Sequence, residues 1–197
     1  ALLNVQKKSI NLLDGISDYD ELDQRVREAF GFSDIEWALI DDLFNYTLPD
    51  FKGNADSPGR LPTRLLNSEA DNESFLKDYV AYCLRVLKAG FGEDKHISAT
   101  IFSENDNERL PVRLVAIHLD DIKENQISVE KYAGIRLRDM LLKWDKMLSS
   151  GAGSALYQRV GKVYDVVTRG KKRVPTAYII KPDRRRYWTR SAAIRDA

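Results

Sequence analysis

Around Gly90 the hydrophobic spacing of this chain changes period, and that change constrains the fold more than any single motif does. Upstream, apolar residues recur every three or four positions; from His96 onward they alternate or run together, so helices come first and strands follow. Tyr19, Leu22, Val26, Ala29 and Phe30 predict a first helix, with Ser17 and Asp18 as caps and Gly31 as its stop. Ser33 stands three residues before Glu36, a capping box, and Ile35, Leu39, Leu43 and Tyr46 or Thr47 form the apolar stripe of a second helix that should finish before Pro49. The pair predicts a helical hairpin. A DNA-reading helix-turn-helix is the poorer account, because Asp34, Glu36, Asp41 and Asp42 would repel phosphate.

Residues 50–72 hold two Gly and two Pro without periodicity and read as a connecting loop. Asn67 or Asn72 then caps a long helix whose Phe75, Tyr79, Cys83, Val86 and Leu87 face the core, ending at Gly90. Cys83 reads as a packing residue, not a reactive thiol. HISATIFS (from His96) and VRLVAIHL (from Val112) predict two antiparallel strands across the polar turn ENDNERLP. Ser128 to Leu148 returns to helical spacing through Val129, Tyr132, Leu137, Met140, Leu141 and Trp144, with Ser128 as cap and Ser149 to Gly153 as the break. Tyr157 to Thr168 and Thr176 to Lys181 are strand-like on either side of the basic turn RGKKRVP. The fold class is α+β: an N-terminal helical hairpin, long helices and antiparallel β-hairpins. It divides into a helical segment 1–49, the loop 50–72, and an α+β domain 73–197 ending in a basic β-hairpin.

Charge is as unevenly placed as hydrophobicity. Residues 158–197 carry twelve Lys and Arg against three Asp, a local +9 in a chain of net +1, so the rest is acidic at −8. Arg159, Lys162, Arg169, Lys171, Lys172, Arg173, Lys181, Arg184, Arg185, Arg186 and Arg190 are interleaved with Tyr187 and Trp188. Cations for phosphates and flat rings for bases are what a nucleic-acid surface requires, so these thirteen residues are the candidate DNA-contacting set, with Tyr187 and Trp188 as a stacking platform flanked by Arg184 to Arg186. A strip of this kind also suits docking on an acidic surface.

Several chemistries fit poorly. One cysteine excludes an internal disulfide and agrees with a cytoplasmic location, and two histidines, His96 and His118, are too few for a usual structural zinc site. No apolar run has membrane-spanning length, and the first residues lack the order of a signal peptide. GAGS at Gly151 lacks the Gly-Lys-Ser/Thr of a phosphate loop, and there is no Gly-x-Ser-x-Gly elbow. Glu93, Asp94 and Lys95 spell the Glu-x-Lys of metal-dependent nucleases, but in a loop and without an upstream acidic strand residue; Asp120 and Asp121 beside His118 read as a solvated corner. No catalytic residue, metal or cofactor is expected in this chain.

The stretch VYDVVTRGKKRVPTAYIIKPDRRRYWTRSAAIRDA, from Val163, with DELDQRVREAFGFSDIEWALIDDLFNYTLP, from Asp20, resembles the C-terminal portion of large bacterial DNA adenine methyltransferase-like proteins of restriction and phage-defence systems. The resemblance implies a protein whose methyltransferase core carries S-adenosylmethionine chemistry and whose following region helps engage DNA. This chain has no Asn-Pro-Pro-Tyr or Asp-Pro-Pro-Tyr motif for a flipped adenine and no glycine-rich cofactor turn, so it would be the accessory region, with a catalytic domain or companion subunit as partner. Opening on Ala1 and stopping at RDA agrees with a piece of a longer protein. The leading expectation is a non-catalytic DNA-engaging domain; the alternatives are a protein-docking module and a metal-dependent nuclease.

Overall fold

The computed structural model describes residues 19–64, 73–91, 96–104, 111–119, 127–132, 134–150, 157–159, 161–169 and 171–197. The expected caps at Ser17, Asp18, Asn67 and Asn72, the Glu93–Lys95 tripeptide and Asp120–Asp121 lie outside the described residues.

Helix α1 spans Tyr19–Phe30 and ends at Gly31, whose φ of 66° suits glycine. Helix α2, Asp34–Asp42, opens on the capping box: Glu36 N donates to Ser33 Oγ at 3.3 Å, and Ser33 N donates to Glu36 Oε2 at 2.9 Å. The helical path does not stop before Pro49. Leu43–Thr47 widen into a π turn and Leu48–Phe51 form α3, with Pro49 in its first turn, where a missing N–H costs no hydrogen bond inside that helix. The stripe expected to face the core is turned outward, with Ile35, Leu39 and Leu43 46%, 49% and 43% exposed. Ala38 and Asp42 are buried instead, and Asp42 Oδ2 accepts Ser191 N at 2.6 Å.

The segment read as a loop contains a 3-10 helix, Pro58–Arg60, held close to the chain. A Cβ on Gly59 would come within 2.8 Å of the Tyr46 carbonyl, so the approach needs glycine. Helix α4, Ser74–Phe91, runs through Gly90. Its buried set, Leu76, Tyr79, Val80, Cys83 and Leu84, keeps Tyr79 and Cys83 of the expected face, Phe75 and Leu87 pack partly buried against the same core, and Val86 is half-buried.

Six strands follow: β1 Ile97–Glu104, β2 Val112–Leu119, β3 Ile127–Tyr132, β4 Tyr157–Arg159, β5 Lys162–Arg169 and β6 Lys172–Pro182. They form one sheet in the order β3-β1-β2-β6-β5-β4. β1 and β2 pair antiparallel as expected, whereas β3 lies parallel to β1 where the spacing predicted the start of a helix. Ile127 and Val129 are β-branched and alternate with polar residues, so pairing along β1 overrides the helical count. Ser128 caps nothing; its Oγ lies 3.1 Å from Thr100 Oγ1 and donates to the Ala99 carbonyl at 3.3 Å. Helix α5 begins only at Gly134 and runs to Ser150. The long strand expected from Tyr157 is a β4–β5 hairpin turned at Gly161, φ 74°. A 3-10 helix, Arg185–Tyr187, and helix α6, Arg190–Asp196, complete the chain.

Strand alternation assigns the two faces. Ile101, Val115, Ile117 and Ile179 meet α4 and α6 on one side, where Ala192 and Ala193 let α6 approach closely and Trp188 packs edge-on to Tyr79, ring centroids 5.0 Å apart. Leu114, Ala116, Val163 and Tyr178 meet Trp144 of α5 on the other. The sheet's end is fixed by a buried ion pair: Arg113 Nη2 donates to Glu73 Oε2 at 2.5 Å, and Ser103 Oγ to Glu73 Oε1 at 2.6 Å. Among the described residues no helix is long and apolar enough to cross a membrane.

Candidate nucleic-acid interface

The thirteen candidate residues separate into structural and exposed groups, and strand geometry does most of the sorting. Lys162 and Lys181 have the parity of β5 and β6 positions that face α6, and both meet Asp196 there. Lys181 Nζ donates to Asp196 Oδ2 and to the Tyr187 carbonyl at 3.0 Å; Lys162 Nζ donates to the Asp196 carbonyl at 2.5 Å. Burial pulls the Lys181 amine below its ordinary range, against the pull of Asp196. Trp188 is 1% exposed and spends its indole N–H on the Pro182 carbonyl at 2.9 Å, so it is a core residue and not half of a stacking platform. Arg185 lies over the Phe75 ring, 5.2 Å from its centroid, and donates to the Pro62 carbonyl at 3.2 Å. Arg190 forks onto Asp78, Nε to Oδ2 at 2.9 Å and Nη2 to Oδ1 at 3.3 Å. The side chains of Arg159 and Arg169 lie outside the described ones.

Two basic groups remain at the surface. The first is the β5–β6 turn, where pairing continues to Arg169 opposite Lys172 and exposes Lys171, Lys172 and Arg173. The second lies beyond the other end of β6. Thr63 N and Oγ1 donate to Asp183 Oδ1 at 2.9 and 2.6 Å, and Arg185 N to the Leu61 carbonyl at 2.9 Å. These bonds bring the 3-10 helix carrying Arg60 against Arg184 and Arg186.

In that second group Asp50 receives Arg60 Nε on Oδ1 at 2.5 Å and Arg186 Nη1 on Oδ2. The Arg60 bond first, with Arg186 adding to it, holds the Asp50 carboxyl below its ordinary range despite partial burial. Arg186 also donates to Tyr187 Oη at 2.7 Å and lies 4.7 Å from that ring's centroid. Arg184 is exposed, and Phe51 stands beside the cluster with 86% of its surface in solvent. Two adjoining clefts of about 550 Å³ each share Arg60 and Arg184; one is bounded by Asp50, Phe51 and Arg186, the other by Asp183 and Tyr187. Two guanidiniums on Asp50 and that of Arg184 in the same cleft, with an exposed ring alongside, make a surface suited to phosphate and to a stacked base.

Sequence reasoning missed Arg60, Asp50 and Phe51. A single arginine in a Gly- and Pro-rich stretch has no periodic signal; it bonds Asp50 ten residues before it, and Arg184 and Arg186 reach the same cleft from more than a hundred residues downstream.

The acidic residues of the nuclease alternative, Glu93, Asp94, Asp120 and Asp121, lie outside the described residues. His118 is buried with Nε2 3.0 Å from Thr100 Oγ1 and Nδ1 3.0 Å from Thr176 Oγ1, a polar ladder across the strands. Among the described residues there is no group of three or more His, Cys, Asp or Glu able to hold a metal ion. No protein-family model, curated protein or solved structure matches the chain.

Proposed function

We propose that this chain is an accessory domain of a bacterial DNA-modification or phage-defence protein, engaging DNA through phosphate contacts and leaving catalysis to a methyltransferase domain or companion subunit. The observation that carries the DNA reading is the Arg60, Arg184 and Arg186 cluster with Phe51 at its edge. The basic hairpin tip lies at the opposite end of the eleven-residue β6, roughly 33 Å away at about 3.3 Å per residue. That separation is close to the roughly 34 Å of one duplex turn, so both groups fit phosphates of one DNA molecule.

Fluorescence anisotropy with a duplex and a single strand of equal length tests this. The informative variants are Arg60→Gln with Arg184→Gln and Arg186→Gln, and separately Lys171→Gln with Lys172→Gln and Arg173→Gln. Arg185 is left intact because it packs on Phe75. Each cation lost from a duplex contact should flatten the log K against log salt line by about 0.9. Absence of binding at low salt, or unchanged slopes in both variants, removes the DNA reading.

The second reading, a docking module whose basic strip pairs with an acidic surface, is favoured by the pairs the strip already makes: Arg186 with Asp50 and Arg190 with Asp78. It expects indifference to DNA at every salt concentration.

A further inference from the structure

A DNA duplex turns the flat faces of its bases inward and shows a protein only their edges, whereas an unpaired nucleotide offers a face for stacking. The cleft that holds Arg60 and Arg184 carries a ring positioned for such a face. Phe51, 86% exposed, is the last residue of α3, and the backbone around it is pinned: Lys52 N donates to the Leu48 carbonyl at 2.9 Å, Gly53 N to the Asp50 carbonyl at 3.1 Å and Asn54 N to the Pro49 carbonyl at 3.1 Å. Asp50, the residue before it, is held through both carboxylate oxygens by Arg60 and Arg186. A lone exposed aromatic residue would carry no meaning. Here the backbone beneath the ring is fixed at the edge of a basic cleft, which spares a ligand the cost of ordering a loop.

The charges lining this cleft and the one adjoining it are three guanidiniums, Arg60, Arg184 and Arg186, against two carboxylates, Asp50 and Asp183, which leaves one positive charge. Asp50 is taken up by Arg60 and Arg186, and Asp183 Oδ1 accepts from Thr63 N and Oγ1. The exposed Arg184 guanidinium makes no hydrogen bond among the described residues, so its donors stand open between the two clefts. One surplus charge matches one phosphodiester. On the far side of Arg184 the second cleft is walled by Pro62, Pro111 and Pro182, an apolar surface for the next sugar along a strand. The hairpin tip differs in kind: RGKKRVP, from Arg169, has cations and no ring, so it is equipped for phosphates alone.

We propose that this cleft takes an unpaired nucleotide, its base stacked on Phe51 and its phosphate on Arg184, so that the form of DNA engaged at this end of the sheet is a single-stranded overhang beside duplex. The inference rests on the DNA reading above and adds to it the form of DNA preferred. Asp50 serves as the anchor of the ring, and its charge is met by Arg60 and Arg186 before any phosphate arrives.

Fluorescence anisotropy of the whole chain tests this with a blunt duplex, the same duplex bearing a three-thymidine overhang at its 5′ or its 3′ end, and the same overhangs made abasic, which keep the phosphates and remove the bases. One thymidine overhang should bind at least about five-fold tighter than the blunt duplex, the lower end of what stacking one base contributes, and its abasic counterpart should lose that gain. Phe51→Ala should abolish the preference and leave the blunt duplex unchanged, Phe51→Trp should keep it, and Arg184→Gln should weaken the overhang complex; melting curves report whether each variant folds. Equal binding of blunt, thymidine and abasic DNA, a folded Phe51→Ala protein that keeps the preference, or an Arg184→Gln protein that binds the overhang undiminished would overturn the proposal. With any of these results, salt-sensitive binding of the blunt duplex leaves the DNA reading standing, whereas failure of every DNA to bind at low salt removes both.

Discussion

Removing the Glu73 carboxylate should destabilise this fold more than any change at its surface, because it strands the guanidinium of Arg113. Arg113 is 1% exposed and Glu73 4%. Glu73→Ala deletes the 2.5 Å contact to Arg113 and the acceptor of the 2.6 Å bond from Ser103. An uncompensated buried charge of this kind costs about 3–5 kcal/mol. At about 2–4 °C per kcal/mol for a chain of this size, the melting temperature should fall by roughly 6–20 °C. Arg113 Nε is buried without a hydrogen-bond partner among the described residues, so even the intact pair is incompletely satisfied. Replacing both partners, Glu73→Leu with Arg113→Met, should therefore recover most of the loss, since well-packed apolar substitutes for buried ion pairs are commonly neutral or stabilising by about 1–4 kcal/mol. Urea denaturation of the two single variants and the double variant gives the coupling directly. A Glu73→Ala cost below about 1 kcal/mol would refute the claim that a buried charge depends on this contact. The consequence reaches the interface, because Arg113 pairs with Lys181 and Val112 with Pro182, at the end of β6 from which Asp183 and Arg184 emerge.

Cys83 is wholly buried and burial pushes its thiol up to about 12, so Ellman's reagent at pH 8 should label it only after unfolding; stoichiometric labelling of folded protein would contradict the packing. Leu76, 0% exposed, should cost about 2–5 kcal/mol when changed to Ala, whereas Leu39→Ala, at a residue 49% exposed, should cost less than about 1 kcal/mol; similar urea midpoints for the two variants would return the α2 stripe to the core. Burial first, and the Asp42 charge after it, raise the Asp41 carboxyl above its ordinary 3.8, so its ionised form opposes folding above that raised value and the penalty disappears as pH falls through it. Asp41→Asn should thus gain a few tenths of a kcal/mol at pH 7 and nothing below the ordinary carboxylate range, a difference measured by urea midpoints at the two pH values. Asp34 behaves oppositely: the Arg85 bond lowers its carboxyl below 3.8, so its support is complete above that value and is lost as pH falls through the lowered one.

The elements legible in the sequence are those whose signal is local. The Ser33–Glu36 box, Gly31 and the two β-branched runs at His96 and Val112 act within a few residues, and each produced the expected element. The misreadings arose where a distant partner decided. Ser128 to Tyr132 has helical spacing of its own but lies beside β1, and parallel pairing wins. Ile35, Leu39 and Leu43 form a good stripe, yet α6 takes the neighbouring Ala38 and Asp42, because a capped helix end with a free Ser191 N–H needs that carboxylate. Pro49 has the local character of a terminator, whereas a π turn before it lets a new helix start with proline in its first turn.

The same logic bears on the basic tail, whose local +9 overstates what it can offer a polyanion. A cation inside a strand is placed by parity, and Lys162 and Lys181 have the parity that faces α6, where Asp196 receives them. Only cations at the turn or past Pro182 escape that assignment, and of these Arg185 and Arg190 are taken by Phe75 and Asp78. The two surface groups supply Arg60, Lys171, Lys172, Arg173, Arg184 and Arg186, which sets a limiting duplex salt slope of about −5, or about −7 if Arg159 and Arg169 join them. Twelve cations acting together would give about −11. A measured slope near the smaller limits would mean that DNA meets the fold as it stands. One near the larger would require the Asp78 and Asp196 pairs to open and Arg185 to leave Phe75 on binding, turning the tail from a fixed surface into a segment that exchanges its internal contacts for phosphates.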